Sequence, residues 1–78
     1  MTREKNFSYE ITCKDLERGG FYKVNQENRA KGYKQSWFGT ETAARKALKN
    51  EIKFNASCSS CEVVSWKLFD RNGIIEEG

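Results

Sequence analysis

Residues 33–54 leave this chain few options. They read YKQSWFG and then TETAARKALKNEIKF, an aromatic run that stops at a glycine and passes at once into a helix-forming run. Thr40 is an N-cap residue, its hydroxyl able to accept from a free backbone N–H of the first turn. Glu41 sets a carboxylate at the positive end of the helix dipole. From 41 to 54 there is no Gly or Pro, and Ala, Leu, Lys, Arg and Glu dominate, all good helix formers. Ala44, Ala47, Leu48 and Ile52 fall at i, i+3, i+4 and i+8, which is one face. Arg45, Lys46, Lys49 and Lys53 take the remaining surface, and Glu41 can pair with Arg45 one turn on. The apolar face opens on two alanines, so the helix can lie close to a flat partner. A β-sheet is that partner.

The strands are read from alternation. Phe7, Tyr9, Ile11 and Cys13 alternate with Ser8, Glu10, Thr12 and Lys14, a period-two strand with one apolar face. Asp15 and Gly19-Gly20 supply turn chemistry. A second strand follows over 21–25, a polar loop over 26–32, and a third strand over 33–38. After the helix, 55–60 is a small polar linker. A fourth strand covers 62–69, with Val64, Trp66 and Leu68 on one face and Val63, Ser65 and Lys67 on the other. Asn72-Gly73 accepts the positive φ of a tight turn, and Ile74-Ile75 begin a last strand. The expected fold is α+β, a single antiparallel sheet in the order β-β-β-α-β-β with one helix across one face. Ile11, Val24, Ala44, Ala47, Leu48, Ile52, Val64 and Leu68 are its expected core. Residues 1–78 make one small domain, frayed over 1–6.

Composition narrows the function classes. Ten aromatics exclude a disordered chain. No apolar run approaches a membrane span and no signal-peptide core follows Met1, so no membrane partner and a cytoplasmic location are expected. There is no His, which removes Ser-His and Cys-His nucleophile pairs and every His-containing metal site. Asp15, Glu17 and Asp70 fall in turns and Glu76-Glu77 at the end of the sequence, none at a spacing that implies acid/base work. There is no P-loop and no GxGxxG. No catalytic residue and no cofactor are expected.

Cys13, Cys58 and Cys61 are an odd count, unlike a secreted disulfide scaffold. Cys58-Ser-Ser-Cys61 has the spacing of a zinc knuckle or a redox pair. Zinc takes four ligands, and three thiolates at most exist here. A redox motif belongs at a helix N-terminus, whereas this one follows a helix. The expectation is structural thiols and no metal, with a Cys13, Cys58, Cys61 metal site as the alternative.

A net charge of +3 permits a polyanion partner. Lys23, Arg29, Lys31 and Lys34 fall on the second and third strands and their loop, interleaved with Tyr22, Tyr33, Gln35 and Trp37. If the apolar sides of those strands meet the helix, the other side is a sheet bearing cations, amides and rings. Such a surface can follow a phosphate backbone or enter a groove; an ordinary solvated sheet face carries similar charges.

The run FYKVNQENRAKGYKQSWFGTETAARKALKNEI resembles the three-strand-plus-helix unit of two DNA-binding families, the ethylene-response-factor type domain of plants and the arm-type domain of phage tyrosine recombinases. The resemblance implies a sheet in the major groove and implicates Lys23, Lys34 and Gln35, although the strands here carry few arginines. The run VVSWKLFDRNGIIEE is similar to small bacterial proteins that end in a strand–Asp-x-x-Gly–strand hairpin, which bears on fold alone. In size and shape the chain is also similar to phage-encoded inhibitors of host defence, anti-CRISPR proteins among them. The expected function is a non-enzymatic binding module for nucleic acid or another acidic surface, through Lys23, Arg29, Lys31, Lys34, Gln35 and Trp37. The alternative is a protein inhibitor of a nucleic-acid enzyme.

Overall fold

The computed structural model describes residues 4–78, so the expected fraying of 1–3 lies outside the described residues. Strand β1 (Phe7–Asp15) and β2 (Phe21–Val24) precede a single 3-10 turn (Arg29–Lys31) and helix α1 (Glu41–Ala56). Strands β3 (Cys61–Asp70) and β4 (Gly73–Glu77) follow. The four strands form one antiparallel sheet in the order β2-β1-β3-β4. Helix α1 packs across β1 and β3, the two central strands.

The helix begins where its chemistry says it should. The Thr40 hydroxyl accepts from Ala43 N–H at 3.1 Å. Arg45 bonds Glu41 at 3.3 Å and also reaches Glu76 on β4, fastening helix to sheet. Its inner face presents buried Ala44 and Leu48, with Ala47 and Ile52 partly covered. Beneath it lie Tyr9, Ile11 and Cys13 of β1 and Leu68 of β3, all buried, flanked by Val24 and Trp66. Among the described residues a core of six buried apolar side chains is small, and burying one of Leu or Ile size is worth on the order of 2 kcal/mol.

Two expectations about the strands fail, each for a backbone reason. Residues 33–38 do not form a third strand; they touch the rest of the backbone only through the isolated bridges Phe7↔Phe38 and Asn28↔Tyr33. Strand β2 takes the edge of β1 over Ile11–Lys14, and of the residues 7–10 left beside it Phe7 alone bonds the 33–38 backbone through its own backbone, at Phe38. Between the two, the Asn25 side chain fills the gap. Its amide donates to Tyr9 O (2.8 Å) and accepts from Ser36 N–H (2.8 Å), standing in for missing ladder bonds. Asn25 itself sits at φ 64, a left-handed conformation that asparagine tolerates better than most residues.

The second failure is Val64. Thr12 pairs with Ser65 while Cys13 pairs with Val63, so Val64 is the extra residue of a bulge. The alternation of β3 shifts there by one. Val63 therefore joins Trp66 and Leu68 on the helix side, and Val64 is 51% exposed instead of core. A second register shift skips Ile75 in β4, and the Asn72-Gly73 turn is closed by Asp70, whose carboxylate accepts from both N–H groups.

Candidate nucleic-acid interface

The face of the sheet away from α1 follows from the register. Tyr9 and Ile11 point to the helix, so Ser8, Glu10, Thr12 and Lys14 point away, together with their cross-strand partners. On β2 the partners are Phe21 and Lys23; on β3 they are Glu62, Ser65, Lys67 and Phe69; on β4 Glu77 joins Lys67. Three lysines thus face three glutamates. At the centre, Glu10 is nearly covered and holds Lys23 Nζ at 2.9 Å and Lys67 Nζ at 3.6 Å. These residues line a shallow depression of about 380 Å³ with Thr12, Ser65 and Glu77. A face balanced in this way has little net attraction for phosphate.

The six residues marked by the sequence are dispersed by the fold. Lys23 lies on the edge strand β2, where Glu10 of β1 neutralises it. Arg29 opens the 3-10 turn, exposed to solvent and paired with Glu27 at 2.8 Å, an exposed pair of little energetic weight. Lys31 and Lys34 are exposed and form no ion pair among the described residues. Lys34 shares with Arg29, Glu27, Gly32 and Tyr33 a shallow concavity of about 340 Å³. Gln35 is half-buried in the segment that Asn25 secures. The expected continuous basic sheet is therefore not formed, because the third strand that would have aligned these residues is absent.

Trp37 is placed differently from the rest. It packs edge-on against Phe69, ring centroids 5.6 Å apart and planes at 86°. Arg71, in the β3–β4 turn, lies over the Trp37 ring at 3.9 Å, and Lys67 lies over Phe69 at 5.7 Å. Cations over aromatic faces at this range are attracted by the ring quadrupole, by about 0.5–1 kcal/mol where exposed. The Arg71 guanidinium also donates to Lys5 O. Below this cluster, Ser8 is fully buried and donates to Ser36 O at 2.6 Å, so residues 36–38 cap one end of the open face. The sequence hid this cluster: alternation placed Lys67 on a face with Val63 and Ser65, and nothing marked Phe69 or Arg71 as site residues. Only the pairing of Ser8 with Phe69 brings them to Trp37.

The cysteines lie at the opposite end. Cys13 is buried, Cys61 half-buried and Cys58 exposed, all as free thiols. Among the described residues, no three His, Cys, Asp or Glu side chains are grouped so as to hold a metal ion. No helix among them is long and apolar enough to cross a membrane.

The fold and its surface define a small α+β domain with an open sheet face capped by an aromatic–cationic cluster. No protein-family model matches the chain, and no curated protein or solved structure matches it.

Proposed function

We propose that the protein is a non-enzymatic binding module that takes single-stranded nucleic acid at the Trp37 end of its open sheet face. The observation that carries this reading is the cluster of Trp37, Phe69, Arg71 and Lys67, continuous in sequence with the segment that bears Lys31 and Lys34. Unstacked bases bind by stacking on aromatic and guanidinium planes, and the phosphates between them need only a few mobile cations. Rings flanked by cations meet both needs. The charge-balanced centre of the sheet argues against a long duplex footprint across Lys23. The third strand on which the family resemblance depends is not formed, so the reading rests on the cluster.

The test is binding of a labelled short single-stranded oligonucleotide as salt is raised. Affinity should fall linearly on a log–log plot, with a slope set by about three or four phosphate contacts. Trp37→Ala should cost about 1–3 kcal/mol, the contribution of one stacked base, while Lys23→Ala should change little. No binding at low salt ends the proposal. Retention of a protein from a nuclease-treated lysate, independent of salt, would favour the inhibitor reading instead.

A further inference from the structure

The junction between α1 and β3 carries a second constellation, unrelated to the aromatic cluster. Helix α1 closes on the Asn55 carbonyl, which accepts from Ser57 N–H and from Cys58 N–H at 3.2 Å. The same carbonyl receives the Cys61 thiol at 3.3 Å. Cys58 Sγ lies 3.3 Å from the Ser60 hydroxyl. The two cysteines stand at the ends of the four-residue turn 58–61, a span that brings Cα atoms into the range a disulfide requires. Tyr22, the cross-strand partner of Cys13, lines one concavity with Cys58 and Cys61. Asp15, Glu17 and Arg18 complete the rim of an open concavity of about 290 Å³, so a small molecule can approach the exposed sulfur.

We propose that Cys58 and Cys61 are a reactive dithiol pair, oxidised to an intramolecular disulfide by small disulfides of the glutathione class, with Cys58 attacking and Cys61 resolving. The asymmetry is built by the surroundings. The Ser60 hydroxyl against its sulfur, and secondarily Cys61 beside it, hold the Cys58 thiol below the usual range, which favours thiolate. Cys61 is pushed up, first by its bond to Cys58 and then by burial, so it keeps its proton until the first step is done. Cys13 is pushed up by burial and lies under the sheet, out of the exchange.

The chemistry balances. The Cys58 thiolate attacks one sulfur of the oxidised glutathione; a protein–glutathione disulfide forms and one glutathione thiolate leaves. Cys61 then loses its proton to solvent and attacks Cys58 Sγ, expelling the second glutathione thiolate. Two protein thiols are oxidised and one disulfide is reduced to two thiols. The new bond withdraws the Cys61 donor from Asn55 O. It also cross-links a turn whose Ser60 carbonyl accepts from Leu16 N–H, so the β1–β2 turn is tied to the same switch.

Intact-mass measurement of the reduced chain treated with oxidised glutathione at neutral pH tests this directly. The expected product is lighter by two hydrogens and keeps one titratable thiol, which peptide mapping assigns to Cys13. Cys61→Ser should stop at an adduct heavier by one glutathionyl group on Cys58. Cys58→Ser should react slower by about an order of magnitude, since the remaining thiols are poor thiolates. Circular dichroism confirms that both variants fold, and the wild-type product needs no variant at all. A stable glutathione adduct on the wild type, disulfide-linked dimers, oxidation through Cys13, or equal rates in the two variants would each overturn the proposal.

Discussion

Tyr9 shows what one side chain in a small core is made to do. Its ring stacks on Phe38, centroids 6.0 Å apart, and its side chain is almost wholly covered. Burial, and secondarily the nearby Glu51 carboxylate, push its phenol up to about 12. An acid whose folded value lies above its unfolded one stabilises the fold below the unfolded value and ceases to do so as pH rises past the folded one. For Tyr9 that window runs from about 10, the free phenol value, to about 12. Tyr22, Cys13 and Cys61 shift in the same direction and add to the alkaline loss. Tyr9→Phe should therefore make melting temperature fall less steeply across that window, while leaving its dependence below about pH 9, roughly 1 pH unit under the free phenol value, unchanged. An identical alkaline slope in the variant would show that Tyr9 ionises freely. Val64 teaches the opposite lesson at the same scale: strict alternation assigned it to the core, and one bulge put it in solvent.

Among the elements, those governed by local rules were legible and those governed by long-range pairing were not. The helix start was readable because Thr40 and Glu41 act within one turn; its end ran to Ala56, two residues beyond the expected 54. Strand β1 was readable because its alternation is unbroken over Phe7–Cys13. Residues 33–38 have strand-like composition, yet whether they join a sheet depends on long-range pairing, and beside β2 they pair with the β1 edge only at Phe7. The Trp37 cluster was half legible for the same reason: the sequence marked Trp37 but could not show that Phe69 and Arg71 would meet it. Asn25 is the residue on which the placement of 33–38 depends. It donates to Ser8 Oγ, Tyr9 O and Ser36 O and accepts from Ser36 N–H. Asn25→Ala removes these bonds and places a Cβ without a polar partner at positive φ, which should cost about 2–4 kcal/mol. Amide exchange at Phe38 and Phe7 should quicken more than exchange at Ile11. Uniform quickening across the sheet would mean that 33–38 is held by packing alone.

For the molecule as a whole, charge is sorted by surface. The open sheet balances its lysines against Glu10, Glu62 and Glu77, whereas Lys46, Lys49 and Lys53 stand unpaired on the helix among the described residues. Glu10 is the pivot of the sheet's balance, because it engages Lys23 and Lys67 together. Glu10→Gln should release both lysines at a cost of about 1 kcal/mol in stability. Under the proposed function it should also tighten binding to single strands and steepen the salt dependence by about one contact. Unchanged affinity would confine the footprint to the Trp37 end and residues 31–34.

The strand order β2-β1-β3-β4 bears finally on how the chain is born. Synthesis delivers β1, β2 and α1 before any of β3 exists. Until then Leu48 and Ala44 have only half a floor, because Leu68, Trp66 and Val63 are still to be made. A two-stranded ribbon is marginal in water, and a lone helix of this length is little better. The nascent protein thus has no stable halfway house and must hold its apolar surface open until β3 arrives to seal it. In that interval the apolar face is open to whatever meets it, and an exposed apolar surface is prone to aggregation.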